Sequence, residues 1–168
     1  MEAQFISIDY FKKYNGIDMN VSNAICTSVI GKAQMKFIQG LLSDSLYYDL
    51  MEKISNETLN ADEKHLLDKY VQPALAEYSM YEYVFSSSYQ SKAVGIVQPT
   101  EENSSINTYK DLRNYRMDIR NDAEALGERL VKYINNNTDK FPKYNVIDEN
   151  TVNETNKKPY FSGLYIPK

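Results

Sequence analysis

The chain has 168 residues, enough for one domain with a substantial core. Charged residues make up 25%, hydrophobic ones 42%, and the net charge is −4, so the composition is globular and nothing global marks a nucleic-acid binder. The single cysteine, Cys26, excludes an intrachain disulfide framework; no N-terminal apolar run resembles a signal peptide and no run of about 18 apolar residues could span a bilayer, so a soluble protein of a reducing compartment is expected.

In chain order, Ser7 can cap a short helix over residues 8–14, stopped by Asn15 and Gly16. A second helix fits residues 21–39, with Val21, Ile25, Val29, Ala33, Phe37 and Leu41 recurring every four residues along one face. Gly40 and Ser43-Asp44 mark a break, and Ser43 or Asp44 then caps a third helix carrying Leu46, Tyr47, Leu50, Met51 and Ile54. Asn60 with Glu63 reads as a capping box. The helix behind it runs to about residue 88 on a broad apolar face of Leu66, Leu67, Tyr70, Val71, Ala74, Leu75, Tyr78, Tyr81 and Phe85. Pro73 lies inside that pattern and should bend the helix without ending it.

Residues 91–107 break the helical rule. The short β-branched run around Gly95 and the turn residues after it predict a loop or small hairpin, with Val94, Ile96 and Val97 as its contact residues. Thr108 and Asp111 open the last long helix, which carries Leu112, Tyr115, Ile119, Ala123, Leu126, Leu130 and Tyr133. Residues 145–156 are polar and Asn-rich, the composition of a tether. Beyond them Tyr160, Phe161, Leu164, Tyr165 and Ile166 form an apolar arm between Pro159 and Pro167. The expected fold is therefore mainly α: a bundle of about four main helices over residues 1–144 with an inserted hairpin, then a tether and arm over residues 145–168.

No catalytic constellation emerges. His65, the only histidine, falls in the first turns of a helix among charged residues, and Cys26 reads as a small core residue. One Cys and one His do not make a zinc site, no phosphate-binding glycine motif occurs, and no cofactor is expected. Asp118 and Asp122, four apart on one face, could serve a small hydrolase, though neighbouring Arg and Lys favour a solvated surface. The Asn-x-Ser/Thr triplets at Asn56 and Asn136 are read as chance. The 15 Tyr beside no Trp suit an interface, but an AT-rich genome raises Tyr as well, so composition leaves both open.

The last helix has an unusual charge layout. At about 100° per residue, Lys110, Arg113, Arg116 and Arg120 fall on one flank and Asp111, Asp118 and Asp122 on another. Further along the sense inverts, with Glu124 and Glu128 on the first flank and Arg129 on the second. Such a helix can pair with a copy of itself through two different faces, as a ring requires. Incidental charge on a solvated helix, or phosphate contact by the arginines, are the alternatives.

The stretches "FIQGLLSDSLYYDLMEKI", "LNADEKHLLDKYVQPALAEYSMYEYV", "KAVGIVQ", "DLRNYRMDIRNDAEALGERLVKYI" and "FPKY" together resemble the head–tail connector proteins of tailed bacteriophages, over roughly residues 20–145. The likeness is greatest to the adaptor, or ring, proteins of phages and prophages of Bacteroides, including the crAss-like phages. It is a likeness of pattern and order, without a catalytic signature. It implies a helical-bundle virion protein, no enzymatic activity, and a twelvefold ring beneath the portal at the head–tail junction, assembled in the host cytoplasm. The implied partners are further copies of the chain, the portal, and adjoining tail or ring proteins. Double-stranded DNA is implied only as non-specific cargo of the lumen, and a membrane not at all. On that reading Arg113, Arg116, Arg120, Asp118 and Asp122 form the subunit seam, and the arm Tyr160, Phe161, Leu164, Tyr165 and Ile166 docks on another chain, the portal ahead of a neighbouring subunit. A non-viral helical interaction module is the other expectation.

Overall fold

A computed structural model describes residues 3–88, 90–92, 95–97 and 109–145. The tether and arm lie outside these residues, as do Val94 and most of the 91–107 segment. Helices α1 (Ile8–Tyr14), α2 (Asn23–Ala33), α3 (Gln39–Leu42), α4 (Asp44–Ser55), α5 (Ala61–Leu66), α6 (Gln72–Ser88) and α7 (Tyr109–Asn135) form the body. Two π-turns interrupt it, Gln34–Ile38 between α2 and α3 and Leu67–Val71 between α5 and α6. Strands β1 (Gln90–Lys92) and β2 (Gly95–Val97) pair antiparallel, Gln90 opposite Val97 and Lys92 opposite Gly95. The fold is mainly α with a short hairpin between its two longest helices, as expected.

Helix α6 is the hub, packing on α1, α2, the first π-turn and α7. It lies antiparallel to α7: Arg116 reaches Tyr81 while Tyr133 stacks on Tyr70 at 4.1 Å between ring centroids. The second π-turn ends where Gln72 N–H donates to the Leu67 carbonyl, just before Pro73. The wider turn accommodates a proline that has no N–H to give and would crowd the carbonyl of a regular preceding turn. The helical pattern continues beyond it, as the sequence predicts. Phe85, expected on the apolar face, is instead 51% exposed, while Ser79 and Glu82 are buried.

The second helix departs from expectation in one register. The predicted stripe was Val21, Ile25, Val29, Ala33, Phe37 and Leu41. Val29 and Ala33 are buried, but Ile25 is exposed and Phe37 and Leu41 only half-buried. The line that reaches the core is Cys26, Ile30, Gln34, Ile38 and Leu42. In a regular helix a spacing of four drifts about 40° per step, and the π-turn cancels that drift. A polar residue, Gln34, sits in the middle of this line.

Gln34 is satisfied on every side. Its Oε1 accepts from Phe5 N–H at 2.8 Å, and its Nε2 donates to the Ala3 carbonyl at 3.1 Å and the Tyr47 hydroxyl at 3.1 Å. Gln72 Nε2 donates to the Phe5 carbonyl at 3.2 Å and Gln4 Nε2 to the Thr27 carbonyl at 3.0 Å. Two side-chain amides thus give the extended N-terminal segment the backbone partners that a strand would, and seat Phe5 and Ile6 in the core. Lys12 is buried too: its ammonium donates to the carbonyls of Met19 and Val21 and to Asn23 Oδ1 at 2.7–2.9 Å.

Helix starts follow the predicted chemistry at Ser7, whose Oγ accepts from Tyr10 N–H, and at Asn60–Glu63, where both arms of the capping box are present at 2.9 Å. Ser43 differs. It starts α4 without a side-chain cap, at φ 63° and ψ 154°, a conformation that glycine alone adopts readily, and its Oγ is buried with no partner among the described residues. Gly40, expected at this break, lies inside α3 instead.

Two outcomes follow. Gln34→Met should destabilise by about 2–3 kcal/mol, because Phe5 N–H and the Ala3 carbonyl lose their buried partner. Ser43→Gly should stabilise by about 1 kcal/mol, raising the melting midpoint by about 2–4 °C. Thermal and urea unfolding check both.

Candidate functional site

The surfaces that could do something lie along α7 and at the ends of its neighbours. From Lys110 to Asp118 this helix is exposed except at Leu112 and Arg116, and its first buried residue is Ile119. With the end of α6 it forms a limb carrying the β1–β2 hairpin, and exposes Phe85, Tyr115 and Met117. Ile96 and Val97 lie on β2.

The predicted seam residues do not all face outward. Arg116 turns onto α6: its Nε donates to the Tyr81 carbonyl at 3.1 Å and its guanidinium lies 3.9 Å from the Tyr81 ring centroid and 5.2 Å from that of Phe85. The helical wheel gives the reason, since residue 116 falls between the flank and the core-facing line of Ile119 and Ala123. Arg120 is half-exposed and pairs with Glu124 at 2.7 Å within its own helix. Arg113, Asp118 and Asp122 are exposed. The basic flank therefore presents Arg113 and the outer side of Arg120, with Arg116 serving as cement for the limb.

Asp122 also bears on a half-buried acid. Burial pushes the Glu77 carboxyl above its ordinary range, and the Asp122 charge adds to that. Tyr14, across from both on α1, is raised by burial and by the Glu77 charge, opposed by Arg129. These groups lie at the junction of three helices. Neither Asp118 nor Asp122 borders the cleft described below, so no described cavity places a substrate beside the pair.

His65 is exposed beside the stacked rings of Tyr70 and Tyr133. Cys26 is buried, and burial raises its thiol while Lys12 opposes the rise. Among the described residues no group of three or more His, Cys, Asp and Glu side chains could hold a metal ion, and no helix is long and apolar enough to cross a membrane.

Two concavities stand out among the described residues. One, about 190 Å³, is a basic and acidic lattice. Lys53 joins Asp49 and Glu63, Lys143 joins Asp49, and Lys140 joins Asp62 at 2.7 Å, fastening the 3₁₀ turn Pro142–Asn145 to α4 and α5 over the buried Phe141. Burial alone would raise the Asp49 carboxyl, but hydrogen bonds from Lys143 and Lys53 outweigh it and hold it below its usual range. The other is an open cleft of about 530 Å³ between α3, α6 and α7, lined by Leu41, Tyr78, Glu124, Glu128, Val131 and Lys132. Gly127 lets the helices meet at its floor: a Cβ there would stand 3.1 Å from the Leu41 side chain and 3.2 Å from the Tyr78 hydroxyl. No sequence signal pointed to this cleft, because its walls come from three separated elements.

The two shifted carboxyls give opposite pH responses. Glu77 is raised, so the fold favours its neutral form; that stability is present at acid pH and lost as pH rises through its folded value. Asp49 is lowered, so its stability is present at neutral pH and lost as pH falls through its folded value. Glu77→Gln should therefore raise the melting temperature at pH 7 and change little at pH 3.5. Asp49→Asn should lower it at pH 7, by an amount that shrinks on acidification. Melting curves across that range check both.

The profile of a protein family of unknown function, DUF6712, matches residues 38–154, which includes the end of the first π-turn, α3 to α7 and the tether. No curated protein matches the chain, and no solved structure does either.

Proposed function

The chain belongs to the DUF6712 family, whose function is unknown, and from its own surfaces we propose that it is a structural subunit of a phage head–tail connector, forming a ring that joins the portal to the tail and surrounds the DNA channel. The resemblance of residues 20–145 to ring adaptor proteins suggests this class. The observation that carries it is the outward half of α7. The first half of α7 lies along α6 through Arg116 and presents an outward face, with a basic flank at Arg113 and Arg120, an acidic flank at Asp118 and Asp122, and exposed Tyr115 and Met117. Opposite faces of opposite charge suit head-to-tail contact between identical subunits, the geometry that closes a ring. On this reading the hairpin between α6 and α7 meets an adjoining ring or tail protein.

The subunit acts by geometry. Its rigid parts, the α6 hub and the Arg116 stack, hold the limb at a set angle, and its charges choose the neighbour. Individual surface ion pairs contribute about 0–1 kcal/mol, but a ring repeats them at every seam. A channel for duplex DNA needs weak contact with its cargo, and a net charge of −4 suits passage better than grip. Localisation at the head–tail junction, and in the host cytoplasm before assembly, follows from the same reading.

Native mass spectrometry with and without the portal should find a large homo-oligomer, at least in the portal's presence; a monomer under both conditions would favour a standalone interaction module. Arg113→Glu should weaken assembly at low salt, Asp118→Lys with Asp122→Lys should do the same, and an equimolar mixture or the combined variant should recover part of the loss. Assembly indifferent to all of these would put the seam elsewhere. Free duplex DNA should bind weakly and without sequence preference; salt-resistant, submicromolar binding would instead make the basic flank a phosphate site.

A further inference from the structure

We propose that the open cleft between α3, α6 and α7 is the seat for the C-terminal arm, residues 157–168, of a second copy of this chain. The choice of a second copy rests on the ring reading above; the choice of the arm as occupant does not.

The two surfaces match in chemistry. The cleft has apolar walls at Leu41, Tyr78 and Val131, and its volume of about 530 Å³ lies within the roughly 300–1,000 Å³ of clefts that enclose ligands. The arm brings Tyr160, Phe161, Leu164, Tyr165 and Ile166, with Gly163 allowing a bend between the aromatic groups. Glu128 edges the cleft beside Lys132, with Glu124 paired to Arg120 next to it, while the arm's apolar residues are bracketed by Lys157, Lys158 and Lys168. At one end of the cleft stand Asn135, the last residue of α7, and Asn136 in the turn after it. Their amides can pair with extended backbone, and the negative end of the helix dipole favours a lysine.

Chain length argues for a second copy. The described residues end at Asn145, on a turn fastened to α4, only a few residues beyond the Asn135–Asn136 end of the chain's own cleft. At about 3.3 Å per residue, residues 145–156 extend roughly 40 Å, well beyond the radius of gyration of about 15 Å for a folded chain of this length. Seated this way, each copy gives an arm and receives one, and the exchange adds to the seam at every position.

Complementation tests this. One variant lacks residues 157–168 and keeps the cleft; another keeps the arm and carries Val131→Arg in the cleft. Circular dichroism verifies both folds. By sedimentation neither variant should pair with itself through the arm, and their equimolar mixture should give a species of about twice the subunit mass. A synthetic peptide of residues 157–168 should bind the truncated variant. Glu128→Lys in that variant should weaken the peptide about fivefold at low salt and less at high salt, a readout that holds even if Val131→Arg unfolds the chain. A peptide that does not bind overturns the cleft as the seat, whether or not rings still form. Peptide binding together with an unaltered full chain that sediments as a monomer means the arm returns to its own cleft and overturns the second copy. Pairing through the arm with no larger assembly, with or without portal, leaves this inference standing and defeats the ring.

Discussion

Gln34 carries an amide into the core on a widened helical turn, and most of the first third of the chain is arranged around that amide. It holds the main chain of Ala3 and Phe5, touches the Tyr47 hydroxyl on α4, and lies in the buried line that α2 and α3 share. Without the π-turn the line would wind away from the core before reaching Ile38 and Leu42. The second π-turn plays the matching part across the molecule, where Gln72 meets the Phe5 carbonyl from the other side. A buried polar residue is costly unless every donor and acceptor is met, and meeting them all selects one arrangement of the three elements. The N-terminal segment thereby becomes a structural member although it belongs to no helix or strand.

Much of this fold was legible in the sequence and some of it was not, for reasons that can be located. The starts at Ser7 and Asn60 were readable because capping is local chemistry, set by a side chain and the next three backbone groups. The continuation past Pro73 was readable because apolar spacing persisted beyond it. The register of α2 was missed by one residue, since Cys26 and Gln34 look less apolar than Ile25 and Phe37, and a π-turn leaves no mark in composition. Ser43 was read as a cap when it is a strained junction; a positive φ at serine comes from the packing on both sides. The seam candidates all lie on α7, but Arg116 stacks on the aromatic rings of α6, a tertiary partner that the sequence of α7 alone does not name.

Helix α7 divides its labour along its length. Its second half is core, with Ala123, Leu130 and Ile134 buried and Tyr133 stacked on Tyr70. Its first half is surface, steadied on one side by Arg116. Stiffness in the first half comes from the anchoring of the second, because a continuous helix of 27 residues transmits bending along its hydrogen-bond ladder. Exposed charge and aromatic side chains on such a lever are positioned by the core without belonging to it.

Lys12 gives the molecule an internal clock. Its ammonium has three protons, and three oxygens in the α1–α2 connection receive them. A lysine so enclosed meets an electrophile only when the connection opens. Its acylation by an amine-directed reagent should then follow the frequency of that opening, while exposed lysines react without waiting for it. Peptide mapping after timed labelling would convert the one buried cation of α1 into a measure of how often this end of the bundle breathes, and any partner that settles on α1 or α2 would slow it.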